Sequence, residues 1–299
     1  MKRVRRRLLA ASLLAAVVVS ASGCGRGDTI LIGTQTYSEP KILAQMYKLL
    51  IEDRTDLKVD VLPDLASSGV IIDAMKKGDI QMSTLYTGEL LNKHFPIEDK
   101  RRSREEVLAE AQAGFDKYFN FKWFNPYGFE NTYAFTVRKE LADEKGWKKI
   151  SDIIPEAGSI KLGVDTTWLE RESDGYKAFA KHYGLQFGDT LPMEVALVYS
   201  AVASKKVDIV LAYSTDARLK EYNLVTLEDD KQFFPPYDAS PVVKKELLAD
   251  NPELNDIIGL LIGKIDAKTM IDLNYEVDVK KRNEKKVAED YLKQIGLLK

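Results

Sequence analysis

The chain of 299 residues is poor in the side chains that most enzyme chemistry requires: it has one cysteine, Cys24, and two histidines, His94 and His182. A single cysteine makes no internal disulfide. The two histidines sit in unrelated settings, Leu91-Asn92-Lys93-His94 and Ala180-Lys181-His182-Tyr183. Neither setting offers a zinc ligand set, a Cys-His pair or a Ser-His-Asp triad, and both histidines read as solvated helix-surface residues. A Gly-x-Ser-x-Gly elbow, a Gly-Lys-Ser/Thr phosphate loop and an acidic calcium loop are also missing. No cofactor or metal is expected, and catalysis has little to stand on.

Long apolar runs are scarce as well. One occurs at the start, where Lys2, Arg3, Arg5, Arg6 and Arg7 precede an apolar or small stretch over residues 8–21. That pattern is an export signal, expected to span residues 1–23. Ala21-Ser22-Gly23 followed by Cys24 resembles the lipobox of bacterial lipoproteins, in which the cysteine becomes the lipid-bearing N-terminus. This resemblance makes Cys24 the lipidation site, residues 24–28 the anchor and linker, and the outer face of the cytoplasmic membrane the location. A plain signal or a transmembrane anchor is the alternative, although the run is short for a span. Without residues 1–23, which hold five of the 44 basic residues and none of the 46 acidic ones, 276 residues remain with a formal net charge of −7. An acidic balance argues against nucleic acid or an anionic membrane surface as partner.

Hydrophobic periodicity organises the rest. Strand patterns at residues 29–32, 57–62 and 80–85 alternate with helical patterns at 39–52 and 67–77, giving β-α-β-α-β. A charged stretch from residue 98 opens a helix to about 119, and 121–124 and 132–137 read as strands. A second series follows: strand 160–164, helix 175–182, strand 193–197, helix 200–204 and strand 208–212. Helices are expected at 244–249, 252–262, 267–274 and 284–295. Ala74-Met75-Lys76-Lys77-Gly78-Asp79-Ile80 aligns without gaps on Ala203-Ser204-Lys205-Lys206-Val207-Asp208-Ile209, which either common ancestry or shared turn chemistry explains. The fold class is α/β, with two similar lobes, each a mostly parallel sheet flanked by helices. Two hinge crossings are expected, near residues 127–131 and at 232–238, where Pro235-Pro236 favours extended backbone. Lobe I then comprises 29–130 and 233–299, and lobe II 131–232.

Ligands of open parallel sheets collect beyond the carboxyl ends of the strands. Gln35, Tyr86 and Tyr213 stand at such ends, and Tyr133 and Tyr237 in or beside the crossings. Each tyrosine alone is an ordinary half-buried packing residue; four around one cavity form a set of ring faces suited to a cation without N–H groups. A quaternary ammonium gains about 0.5 to 2 kcal/mol per desolvated ring.

Ile32-Gly33-Thr34-Gln35, Leu65-Ala66-Ser67-Ser68, Tyr86-Thr87-Gly88, Tyr127-Gly128-Phe129-Glu130-Asn131-Thr132-Tyr133, Leu211-Ala212-Tyr213-Ser214 and Phe233-Phe234-Pro235-Pro236-Tyr237-Asp238 occur in that order along the chain. Together they resemble the glycine betaine/carnitine/choline-binding lipoproteins of osmoprotectant ABC importers. The resemblance implies a two-lobed, type II periplasmic-binding-protein-like clamp. Tyr86 and Tyr237 from one lobe and Tyr133 and Tyr213 from the other would cage a trimethylammonium head. Gln35, Ser67 and Ser68 would bond the ligand's polar end, although both serines also suit a helix start as caps. Glu89 departs from the family pattern: facing the pocket it favours choline over glycine betaine, and otherwise it is an acid in a first helical turn. Trp168 could line the cleft but suits packing at the lobe surface better, and the run Glu98, Asp99, Lys100, Arg101 and Arg102 is a solvated face. The resemblance implies a monomeric receptor that catalyses nothing, closes around a quaternary-ammonium osmolyte and delivers it to the permease and ATPase subunits. The alternative is a secreted α/β hydrolase acting on a choline-containing substrate, with Asp165 and Asp216 as acid and base.

Overall fold

The computed structural model describes residues 29–299 except 93, 98–102, 171–174 and 195–196. The expected signal, Cys24 and the charged run at 98–102 lie outside the described residues. The first sheet contains β1 (Thr29–Gly33), β2 (Lys58–Leu62), β3 (Met82–Tyr86) and β4 (Phe121–Trp123). Between them run α1 (Ser38–Arg54), α2 (Ser68–Lys77) and α3 (Arg104–Phe119). The chain then enters a second sheet through β5 (Tyr133–Arg138), α4 (Lys139–Lys145), β6 (Lys161–Asp165), α5 (Thr166–Glu170) and α6 (Tyr176–Tyr183). It continues through β7 (Asp189–Met193), α7 (Val198–Ala203), β8 (Ile209–Tyr213), α8 (Ala217–Glu221) and β9 (Leu224–Thr226). It returns to the first sheet as β10 (Ala239–Lys244), followed by α9 (Lys245–Asp250), α10 (Leu254–Gly259), α11 (Ala267–Asp278) and α12 (Glu284–Gln294). Among the described residues no helix is long and apolar enough to cross a membrane.

The strand orders are β2-β1-β3-β10-β4 and β7-β6-β8-β5-β9. In each sheet one strand runs against the rest, and it is the strand that arrives from the other lobe: β10 in the first, β5 in the second. A chain crossing at the carboxyl ends of parallel strands must run back down the sheet, so the hinge dictates this antiparallel insertion. The gap-free repeat precedes β3 and β8, which hold the same place in their sheets. Its turns differ: Gly78 takes the left-handed position in one and Lys205 in the other.

Both faces of both sheets are covered. In the first, Ile42, Met46 and Leu50 of α1 pack with Leu254, Met270 and Leu292 on one side, while Ile72, Met75 and Phe115 fill the other. In the second, Phe135, Trp168 and Phe179 lie on one side and Val198, Val202 and Leu219 on the other. Trp168 is fully buried in this core, not packed at the lobe surface. Its indole stands at 6.0 Å and 76° to Phe135.

Two sequence readings need correction. The strand expected at 193–197 lies earlier, at Asp189–Met193, as an exposed edge strand containing Pro192, which an edge tolerates because no partner needs its N–H. Its outward faces hide the apolar alternation. The buried strand β10 was not foreseen, because Ser240-Pro241 interrupts its pattern; the Pro241 carbonyl still accepts from Phe124 N at 3.0 Å.

Candidate functional site

The segments linking the sheets lie side by side. Glu130 and Asp238 form an antiparallel bridge, and Asn131 N donates to the Tyr237 carbonyl at 3.0 Å. Arg104, the first residue of α3, grips the buried Asp238 carboxylate through both Nε and Nη2 and stands 3.8 Å from Glu130. Thr87, directly after β3, fixes the same segment: its hydroxyl donates to Pro236 O at 3.0 Å and accepts from Asp238 N at 2.9 Å.

Beside these segments, between the sheets, opens a cavity of about 610 Å³. The β1–α1 turn supplies Gln35 and Tyr37 and the first turn of α1 supplies Glu39; the turn into α2 supplies Ser67 and Ser68; β3 and the 3-10 helix Thr87–Asn92 supply Tyr86 and Glu89. The crossings add Asn131 and Tyr237, β8 and α8 add Tyr213, Thr215, Asp216 and Arg218, and α11 adds Asn274 and Asp278. The cavity thus lies beyond the carboxyl ends of β1, β2, β3 and β8, where an open parallel sheet leaves strand-end side chains and turn backbone uncovered.

Of the residues singled out from sequence, Gln35, Ser67, Ser68, Tyr86, Glu89, Tyr213 and Tyr237 line this cavity. Tyr133 is not among the lining residues. It stands opposite Tyr213 in the β5–β8 register and stacks on it at 5.2 Å and 24°, with Phe234 behind at 5.9 Å. Tyr213 presents its outer side to the cleft and is 37% exposed, whereas Tyr86 is 6% exposed. The Tyr237 ring lies flat against Gly88: a Cβ there would fall 2.0 Å from its Cε1.

Gln35 is buried, and its Oε1 has no hydrogen-bond partner among the described residues. Ser67 does cap α2, accepting from Val70 N at 3.3 Å, which leaves its own proton available. Glu89 lies in the first turn of its 3-10 helix and also lines the cavity, so the two positions weighed from sequence coincide. It accepts from Asn92 at 2.8 Å and faces His94 Nε2 at 3.0 Å. Burial opposes its ionised form, but hydrogen bonds from His94, Ser68 and Asn92 outweigh that and hold the carboxyl below its ordinary value.

One histidine differs from expectation. His94 is not solvated but tucked between Glu89 and the Phe115 ring, and His182 bonds the Lys231 carbonyl at 2.9 Å. Asp165 and Asp216 serve as caps, accepting from Trp168 N at 3.0 Å and Arg218 N at 2.9 Å respectively. Asp165 is not a lining residue, so the two carboxylates do not share the cavity.

Sequence reading missed Tyr37, Glu39, Asn131, Asn274 and Arg218. Tyr37 is 41% exposed because it borders the cavity. Burial raises its pKa, with the charge of Glu39 adding to the effect. Glu39 accepts from the Tyr86 hydroxyl at 2.6 Å. Arg218 pairs with Asp216 and lies 3.8 Å over the Tyr199 ring. For Tyr37, Glu39 and Arg218 the one available signal was position after β1 or β8, where acids and bases in a first helical turn are otherwise unremarkable; Asn131 and Asn274 had none.

The model of the family described as the substrate binding domain of ABC-type glycine betaine transport system matches residues 28–294. The chain is 40% identical to the carnitine transport binding protein OpuCC of Listeria monocytogenes serotype 1/2a (strain 10403S), over 96% of this chain and 94% of the relative. It is 32% identical to a glycine-betaine-binding protein of Pseudomonas aeruginosa, over 98% and 96%. A solved structure of a glycine betaine/carnitine/choline ABC transporter protein matches with a TM-score of 0.85 at 40% identity, covering 90% of this chain and 99% of that one. A family model across nearly the whole chain, on a two-lobed α/β fold with its cavity between the lobes, shows that the chain belongs to the substrate-binding domain family of ABC-type glycine betaine transport systems.

Proposed function

We propose that this protein is the extracytoplasmic binding lipoprotein of an ABC importer, capturing a quaternary-ammonium compatible solute such as choline, glycine betaine or carnitine for osmoprotection. The observation that carries the reading is one interlobe cavity lined by Tyr37, Tyr86, Tyr213 and Tyr237. Their ring faces suit a trimethylammonium group, which has no proton to donate and binds by charge and contact area. At about 0.5 to 2 kcal/mol per desolvated ring, the cage supplies several of the roughly 8 kcal/mol in a micromolar complex. Tyr133 supports Tyr213 from behind, and Gln35, Ser67 and Ser68 hold the ligand's polar end. Relatives whose names specify carnitine and glycine betaine support the ligand class.

In this reading lobe I spans residues 29–130 and 233–299, lobe II spans 131–232, and the Glu130–Asp238 bridge marks the hinge. Ligand touching rings of both lobes favours the closed form, and the closed form docks on the permease. Lipid on Cys24 holds the receptor at the membrane, and no bond of the ligand is made or broken. Titration calorimetry with the three solutes tests the proposal: saturable binding of at least one is expected. No heat from any of them, with a protein folded by circular dichroism, refutes it.

A further inference from the structure

Glu39 lies in the first turn of α1, 1% exposed and on the cavity wall. Its Oε1 accepts from the Tyr86 hydroxyl at 2.6 Å and the Asn131 amide at 3.3 Å, and its Oε2 from the Asn274 amide at 3.5 Å. These donors come from β3, the first crossing and α11. An ionised carboxylate, which only accepts, satisfies them all; a protonated one must place an O–H among groups that already donate. Yet a buried carboxylate is costly without a nearby cation. The groups that hydrogen-bond Glu39 are neutral: Tyr86, Thr215, Asn131 and Asn274. Burial therefore raises its proton affinity against the pull of those hydrogen bonds. A cation in the cavity removes the conflict.

Resting on the reading of this cleft as a quaternary-ammonium site, we propose that Glu39 is a specificity-determining residue that supplies the negative charge behind the Tyr86 ring and recognises the ligand by its positive charge. A quaternary ammonium brings no N–H to compete for the carboxylate oxygens, so it attracts Glu39 through space while resting on the ring. Where burial leaves the carboxyl protonated, ligand binding breaks its O–H, the electron pair stays on the oxygen, and the proton passes to water or buffer. The same charge ranks ligands. Among the described lining residues Glu39, Glu89, Asp216 and Asp278 stand against one base, Arg218, so a net cation gains more than a zwitterion carrying its own carboxylate.

Tyr37, Tyr86 and Tyr127 couple to Glu39 by charge. Also on the cavity wall are Glu89 with His94 beside it, Asp216 with Arg218, and Asp278, which accepts from Ser38. The test therefore separates Glu39 from Glu89. Choline and tetramethylammonium are titrated in buffers of differing ionisation enthalpy between about pH 5 and 8. The wild type is expected to release part of a proton per cation bound and to bind more weakly as pH falls. Glu39→Gln is expected to release none and to bind roughly tenfold or more weakly. Release unchanged in Glu89→Gln, Asp216→Asn and Asp278→Asn leaves Glu39 as the remaining carboxyl of the described cavity lining, even if Glu39→Gln does not fold. Binding without release in the wild type, release that persists in Glu39→Gln, or release that vanishes in Glu89→Gln overturns the proposal. A folded wild type that binds neither cation refutes the quaternary-ammonium reading itself.

Discussion

Gly88→Ala tests the cage without touching an aromatic residue. A Cβ on Gly88 lies 2.0 Å from Tyr237 Cε1, 2.3 Å from Cζ and 2.4 Å from Cδ1, so the ring must withdraw by more than an ångström to reach ordinary contact. The backbone at Tyr237 cannot follow. It is pinned by Asn131 N on its carbonyl at 3.0 Å, and its neighbours Pro236 and Asp238 are held by Thr87. Relief must come from rotation of the Tyr237 side chain away from the cavity. Losing one ring face costs about 0.5 to 2 kcal/mol, a roughly two- to thirtyfold weaker Kd for choline by calorimetry. Overpacking at the same spot costs about 1 to 3 kcal/mol of stability, which chemical denaturation reads separately. The decisive comparison is a double-mutant cycle. If Gly88 acts by seating Tyr237, adding Gly88→Ala to Tyr237→Ala leaves affinity where Tyr237→Ala put it. Wild-type affinity in Gly88→Ala, or losses that add in the double variant, would refute the reasoning.

Arg104→Ala strands the buried Asp238 carboxylate at the hinge and is expected to cost on the order of 2 kcal/mol in urea denaturation, less than a wholly buried pair because the guanidinium is half exposed. Glu89, whose carboxyl is held below its ordinary value of 4.5, contributes stability that is fully present above that value and lost as pH falls through its lower folded-state value. Thermal melts should therefore show the wild type losing its advantage over Glu89→Gln on the acid side alone. Tyr133→Phe keeps the ring behind Tyr213 and should leave affinity within about twofold, whereas Tyr133→Ala frees Tyr213 and should weaken binding by about one ring's worth. Cys24→Ala should release the protein from membranes in a fractionation assay, with the affinity for osmolyte unchanged.

The βαβ series was legible because β1, β3, β6 and β8 are buried and apolar, and because α1 and α12 carry clear helical spacing. β10 and β7 were obscured by Pro241 and Pro192, whose sheet positions depend on neighbours that the local pattern does not contain. The same limit applied to the site. Tyr86 and Tyr213 end strands and Gln35 follows one, so topology alone brings them to the cleft. Glu39 follows a strand too, but a carboxylate in a first helical turn has a sufficient local explanation in the helix dipole. What sets it apart is Asn274, 235 residues away, which reaches the Glu39 carboxylate at 3.5 Å and the Thr215 carbonyl of the second lobe at 2.9 Å. No local spacing encodes that contact.

The two sheets share a strand order and still contribute unequally to the cavity, and the register explains why. In the second sheet Tyr133 stands opposite Tyr213, so the rings stack and present one outer face to the cleft. In the first sheet Ala239 stands opposite Tyr86, and the small side chain leaves that strand end uncovered. Tyr237, two residues earlier in the returning crossing, closes that side by leaning on Gly88. Tyr86 thereby remains linked through its hydroxyl to Glu39 rather than to a second ring. The shared topology delivers tyrosines to equivalent strand ends, and one alanine-for-tyrosine difference in the inserted strand separates a stacked pair from a ring backed by a carboxyl. The first lobe therefore adds the Tyr86–Glu39 pair and Glu89 to the cleft wall, and the second adds the outer face of Tyr213 beside the Asp216–Arg218 pair.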